Sequence, residues 1–580
     1  RFLNMLIIKI TYMKFFTFLL TFILISFKMN ATETIIVNQN QFFIDVTNSL
    51  VVTNMDVANI NSTWPGSKTN INIGELCSFI TPVTTIEIGT PYTIFIPSKN
   101  SNFTLYFTDF PIISISTTNT IVDEPDVWAN FKMIEKNQTF LESNIGIQYR
   151  GGYSQELPKK SMEIKFWTDT LGTDTEDHTL LNMVNDDSWN LQAMANEPLR
   201  IRNKTNFDLW RMINELHYIS DEPDAINAVR MNYVELFVNN EYRGIYCLGE
   251  KIKRKQLKLK KHNGSIRGEL YKGDHWGNTT FYTLPPFDNN SDIWDGFEYK
   301  HPDEEIDWQN LYDLSDFIIN SSDADFYVNY SSKFDIDNLV DYYIFLNLLR
   351  ATDNTGKNIY IAKYDANTPY FYVPWDLDGT FGTMWTGSND EITNDILTNG
   401  FYDRLIDDCS TNGFREKLRT KWMSLRQNVI THTSIMNMFN ANYNLLLSNG
   451  IYERETLVWD DFDYYTGNLT YMSNWISDRI TYLDTVFEEE CPPLSTDNPT
   501  KTKYQFTIYP NPTSDFVHID SNLESNFNLE VYNNLGQIVL SENFNGAEKQ
   551  IDLSNLSNGI YIFKIKNADF QEIHKVIVNR

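Results

Sequence analysis

Between residues 337 and 382 the chain changes pattern three times within a short stretch, and few folds satisfy that order. An apolar helix is expected over residues 339–349, with Asp337 as its cap. A polar loop follows, Arg350-Ala-Thr-Asp353-Asn-Thr-Gly-Lys-Asn358. Then come a strand, Ile359-Tyr-Ile-Ala, a turn, and a second strand, Tyr370-Phe-Tyr-Val, which runs into Pro374-Trp-Asp376-Leu-Asp378-Gly. Pairing the strands as a hairpin brings Asp353 and Asn358 next to Asp376 and Asp378. Three carboxylates and an amide would then converge. Asp335-Ile-Asp337 reads as the start of the helix.

That convergence matters chemically. Phosphoryl transfer needs one carboxylate to accept the proton of the attacking hydroxyl, and a carboxylate with an amide oxygen to hold a divalent cation against the phosphates. Protein kinases space these groups as Asp-x4-Asn followed by an Asp-containing metal loop, and Asp353 and Asn358 have that spacing. Two plainer readings stay open from the residues alone. Asp-Leu-Asp-Gly also suits a turn or a structural Ca²⁺ site, and Asp353-Asn-Thr-Gly suits a loop with side-chain-to-backbone bonds.

Elsewhere the patterns are mixed. Residues 32–107 carry short strand-like runs such as Thr93-Ile-Phe-Ile-Pro and form a β-rich segment without a catalytic cluster. Residues 108–490 are the main α+β block. In it, Ile145-Gly-Ile-Gln-Tyr-Arg150, Gly151-Gly-Tyr-Ser and Lys159-Lys160-Ser-Met-Glu-Ile read as strand, turn, strand. Residues 199–216 have helical periodicity, Tyr233-Val-Glu-Leu-Phe-Val and Arg243-Gly-Ile-Tyr-Cys-Leu read as a hairpin, and residues 413–487 are mainly helical. A Pro/Ser/Thr-rich linker at 491–503 precedes an all-β module at 504–580 of sandwich size.

At the start, Met13-Lys14 precedes 13 mostly apolar residues and then polar sequence, the layout of an export signal within residues 1–31, with translation expected to begin at Met13. The apolar stretch is shorter than the ~20 residues a spanning helix needs, so no transmembrane segment is expected in the mature chain. Aromatic residues make up 14% of the chain, which argues against disorder, and the net charge of -29 disfavours nucleic-acid partners. Cys77, Cys247, Cys409 and Cys491 are too scattered for a zinc site; an exported chain has room for one or two disulfides, and buried or free thiols fit the spacing as well. Residues 251–261 hold seven basic side chains in eleven, which reads as a solvated face or as a nucleotide or acidic-substrate contact.

Two resemblances sharpen these expectations. Tyr149-Arg-Gly-Gly-Tyr-Ser, Pro158-Lys-Lys-Ser, Leu199-Arg-Ile-Arg-Asn-Lys, Val234-Glu-Leu-Phe-Val-Asn-Asn-Glu-Tyr-Arg-Gly-Ile-Tyr with Glu250, Asp353 with Lys357-Asn358, and Pro374-Trp-Asp-Leu-Asp-Gly-Thr-Phe-Gly resemble the ordered motifs of CotH-family proteins. The resemblance implies an atypical protein-kinase-like, two-lobed catalytic domain over residues 108–490 that uses ATP and Mg²⁺ or Mn²⁺. Carried over by position, Asp353 is the catalytic base and Asn358, Asp376 and Asp378 the metal set. Lys160, Arg150 and Glu250 are the implied nucleotide contacts, with Lys160 on the α/β-phosphates and Glu250 at the hinge; from the residues alone Lys160 equally suits a solvent-exposed strand position and Glu250 a surface ion pair. The implied acceptor is a Ser/Thr hydroxyl of a secreted or cell-surface protein. The departures are Ala351-Thr352 in place of His-Arg and the lack of a G-x-G-x-x-G loop, for which Gly151-Gly152 is the nearest substitute. The rival function is a non-catalytic surface adhesion or envelope protein on the same fold.

The second resemblance lies in Tyr509-Pro-Asn-Pro-Thr, Val531-Tyr-Asn-Asn-Leu-Gly, Leu553-Ser-Asn-Leu-Ser-Asn-Gly-Ile-Tyr and Lys575-Val-Ile-Val. These resemble the C-terminal sorting domain of type IX secretion substrates in Bacteroidota. It implies handling by that machinery and release outside the cell or attachment to the outer surface.

Overall fold

The computed structural model describes residues 33–491, 506–521, 526–533, 536–545, 548–566 and 571–580. The export signal and, apart from Cys491, the linker lie outside the described residues. The chain is mixed α+β and divides into two compact units, residues 1–491 and 492–580.

In the first unit, residues 33–107 form a seven-stranded sheet with Glu33–Ile36 at one edge and Phe42–Asp45 at the other. Its alternate residues, among them Ile71, Cys77, Ile94, Phe103 and Leu105, make one apolar core. Seven further strands close a barrel in the order Phe140–Tyr149, Met162–Trp167, Ser188–Gln192, Glu241–Gly249, Met231–Val238, Ile112–Ser116 and Val127–Ile134. Closure leaves no free strand edge. The Ile/Leu/Phe/Trp side chains that alternate inward, such as Ile147, Ile164, Phe166, Trp189 and Leu236, fill the interior. The hairpin expected at residues 233–248 is one of its corners, turning through Asn239 and Asn240, both at positive φ.

The rest of this unit is a five-stranded sheet and a set of helices around the largest apolar core. The sheet runs Ile293–Trp294, Phe297–His301, Glu269–Gly273, Ile359–Lys363 and Tyr370–Pro374. The helix Ile336–Leu349 is buried along its length, as its apolar run requires. Its cap is Asp335, whose carboxylate accepts from Asp337 N at 3.1 Å; Asp337, the expected cap, sits in the first turn and pairs with Lys417. Residues 414–487 hold four helices, the last Gly467–Phe487. Cys409 and Cys491 form a disulfide, whereas Cys77 and Cys247 are buried free thiols.

The second unit is all-β: a three-stranded sheet, Phe506–Tyr509, Phe516–Ser521 and Glu548–Asp552, and a four-stranded sheet, Ile538–Asn545, Asn526–Tyr532, Gly559–Lys566 and Gln571–Val578. They share a core that includes Val517, Leu529, Val531 and Phe563. Among the described residues no helix is long and apolar enough to cross a membrane.

Candidate active site

The hairpin forms as its alternation requires. Ile359 pairs with Pro374 and Lys363 with Tyr370, and the Trp375 N–H donates to the Asn358 carbonyl at 3.1 Å. Asp353 lies in a short 3-10 turn, Thr352–Thr355. Its neighbour Asn354 staples the two loops together: the Asn354 side-chain amide donates to the Asn358 carbonyl at 2.8 Å and the Trp375 carbonyl at 2.7 Å. Asn358 and Asp376 both adopt left-handed backbone, with φ of 54° and 53°. For residues other than Gly such strain clusters at functional sites.

The Asp-Leu-Asp-Gly turn is gripped from the other side by the helix Arg202–Ile213. Asn203 Oδ1 accepts from Leu377 N at 3.2 Å. Asn206 Nδ2 donates to Leu377 O at 2.8 Å and Thr380 Oγ1 at 2.7 Å, and Arg202 Nε donates to Thr380 O at 3.1 Å. This gives the Leu199-Arg-Ile-Arg-Asn-Lys motif a concrete task, which is to position the aspartate turn. Gly379 admits the Trp385 backbone, since a Cβ there would lie 2.8 Å from Trp385 N.

These loops border a cavity of about 690 Å³ lined by Asp353, Asn358, Asp376 and Asp378, by Arg150, Gly151 and Gly152 from the barrel, and by Lys272 and Lys357. Burial raises the carboxyl of Asp353, an effect opposed by the Lys357 charge and reinforced by Asp376. Burial also raises Asp376, against the pull of Arg150, Lys357 and Lys272. Asp378 is pushed up to about 7, first by burial and then by the negative charge of Asp376, although Asn196 donates to it at 2.8 Å. Among the described residues, neither Asp353 nor Asp376 receives a side-chain hydrogen bond or ion pair. The donor set is carboxylate and amide oxygen, the hard ligands that Mg²⁺ and Mn²⁺ take, and a cation would relieve the mutual repulsion of these acids.

Other residues sit elsewhere. Lys160 does not line the cavity: its ammonium donates to the carbonyls of Gln155 and Leu157. Lys159 turns inward instead, donating to Glu455 at 2.7 Å and Ile245 O at 2.6 Å, and burial lowers it to about 7. Glu250 is buried away from the cavity, accepting from Arg230 Nε at 2.9 Å and Val184 N at 2.7 Å. Arg150 does reach the cavity, 5.7 Å above the Trp375 ring. Lys272, Lys357 and Asn196 are cavity residues that the sequence did not single out for a role.

A second cavity of about 460 Å³ shares Arg150, Lys272 and Trp375 with the first. The basic run lines it with Lys251, Lys253, Arg254 and Lys255. Three of these are paired: Lys251 with Glu163, Lys253 with Asp186 and Asp187, and Lys255 with Asp177. The lining part of the run is therefore largely neutralised, and so is the tight acidic group Asp177, Asp186 and Asp187.

The family model described as CotH kinase protein matches residues 147–483, a span that contains every element of the cavity described above. The chain belongs to the CotH kinase family. A second family model, the secretion system C-terminal sorting domain, matches residues 507–579. A comparison with curated proteins returned no match. This CotH-family chain thus carries a sorting tail that marks it for type IX secretion to the cell surface or outside, and for handling by that machinery.

Proposed function

We propose that this CotH-family protein is an atypical kinase that transfers the γ-phosphate of ATP to Ser or Thr hydroxyls of exported proteins. The observation that carries this reading is that Asp353 and Asp376, acids raised by burial, lack side-chain partners among the described residues on a cavity they share with Asn358 and Asp378. A scaffold serving adhesion alone has no use for such groups, because half-buried charges without partners cost stability.

In this reading the barrel and the helical portion are the two lobes of a kinase-like domain. Asp353 takes the proton of the acceptor hydroxyl as the new O–P bond forms; the bond from the γ-phosphorus to the bridging oxygen breaks and ADP leaves. A carboxyl with raised proton affinity suits a base working near neutrality. Asn358, Asp376 and Asp378 would hold Mg²⁺ or Mn²⁺, which when bound offsets phosphate charge. Arg150, Lys272 and Lys357 supply positive charge around the same cavity, and fit the phosphates better than Lys160, which is held by backbone carbonyls.

The test incubates the purified chain with γ-labelled ATP, Mg²⁺ or Mn²⁺ and a Ser-containing protein acceptor. Label should appear on Ser or Thr, in the acceptor or in the chain itself. A chain that neither binds ATP nor transfers label removes the kinase reading and leaves the surface-protein alternative.

A further inference from the structure

Three large aromatic side chains line the catalytic cavity and still face solvent: Tyr153 is 38% exposed, Trp276 54% and Trp385 44%. Apolar surface of this size costs hydration when left uncovered, and rings gathered at one site mark contact with a partner.

Two of these residues, Trp385 and Trp276, are tied to segments that carry candidate site groups, and Tyr153 packs on the first. The Asn196 amide donates to the Trp385 carbonyl at 2.9 Å and to Asp378 Oδ2 at 2.8 Å, so one side chain holds both. The Trp385 backbone rests against Gly379, and Gly387, at φ 88°, lies so close that a Cβ there would be 2.3 Å from Asn196 O. Across the cavity, the Lys357 ammonium sits 5.5 Å from the Trp276 ring centroid, tying that ring to the Asp353–Asn358 loop. Tyr153 follows Gly151-Gly152 and meets Trp385 at 4.8 Å between centroids and 88° between planes.

We infer that Tyr153, Trp276 and Trp385 are the acceptor-recognition residues, and that they select a peptide with a bulky apolar side chain beside the Ser or Thr hydroxyl. The inference rests on the phosphotransfer reading above. The edge-to-face packing of Tyr153 on Trp385 fixes both rings and leaves their remaining apolar surface at the cavity for a bulky apolar side chain to cover. Trp and Tyr provide such contacts at low entropic cost because they have only two rotatable side-chain bonds. The rings border the cavity that holds Asp353, so a residue seated among them presents its neighbour's hydroxyl to that carboxylate.

The test measures kcat/KM of the full chain on Ser peptides that differ at one residue next to the acceptor: Leu, Phe, Gly, Asp or Lys. Leu or Phe should exceed Gly by about tenfold, the discrimination that burying a few apolar groups supplies. Trp385→Ala or Trp276→Ala should shrink that ratio to about twofold, and Trp385→Phe should keep most of it. A flat wild-type profile, a preference for Asp or Lys, faster transfer to an oligosaccharide, or a ratio untouched by all three alanine variants, Tyr153→Ala included, overturns the inference and leaves the kinase reading standing. A chain that transfers to no acceptor removes both.

Discussion

Asn196 donates to Asp378 at 2.8 Å, and its carbonyl faces Gly387 so closely that only glycine fits there. The second aspartate of the turn is thus oriented by a residue 182 positions away in sequence. Asp376, the first, has no such partner among the described residues, and the two should therefore behave differently on substitution.

Asp353→Asn should lower phosphotransfer by about 10²–10⁴-fold while the chain still binds Mn²⁺, because a base is lost and the metal oxygens stay. Asp376→Asn should lose both. Transfer assays beside calorimetric Mn²⁺ titration separate the two outcomes, and equal loss of metal in both variants would put Asp353 among the ligands.

Because Asp378 is raised to about 7, the folded, metal-free chain holds a proton there that the unfolded chain gives up at lower pH. The stability from this proton is fully present below the unfolded-state carboxyl pKa and is lost as pH climbs through about 7. A metal must displace that proton, so Mn²⁺ affinity should rise about tenfold per pH unit up to about pH 7 and then level. Titrations between about pH 5.5 and about pH 8, with proton release measured from the buffer dependence of the heat, check both slopes. A flat affinity contradicts the assignment of Asp378 to the metal.

Asn206 is fully buried and bonds Leu377 and Thr380 at once. Asn206→Ala leaves the Leu377 carbonyl without that donor, costing about 1–3 kcal/mol in urea unfolding. It should also weaken Mn²⁺ binding, since the flanking aspartates lose their grip. Retained affinity would show that the hairpin alone holds the turn.

Glu235 and Arg454 are both fully buried and paired at 2.7 Å, joining the barrel to the helix Ile451–Val458. Removing either partner should cost about 3–5 kcal/mol, whereas Glu235→Leu with Arg454→Met should recover much of that loss. Thermal unfolding of the two single variants and the double variant measures the coupling.

The hairpin core of the site was readable because everything it needs is local. Alternating apolar residues, a short turn and the Asp353 to Asn358 spacing lie within about one supersecondary unit. The choice between Lys159 and Lys160 was not readable in the same way. Both precede the strand Met162–Trp167 and follow an irregular turn, so strand alternation has no fixed phase there. Glu250 did leave a signal. Met231 pairs with Gly249, so continuing the hairpin one step sets Arg230 beside Glu250. Asn196, Lys272 and Trp276 left none, since barrel closure and the order of the five-stranded sheet bring them in from distant segments. Local periodicity carries no record of such pairings.

The Cys409–Cys491 bridge lies just beyond the last helix of the first unit, Gly467–Phe487, where the chain sets off toward the sorting tail. The sulfur bond ties this exit to the loop ahead of the helix Phe414–Leu425, so the end of the last helix and that loop are held as one covalent ring of the chain, and neither end can drift from the other when the rest unfolds.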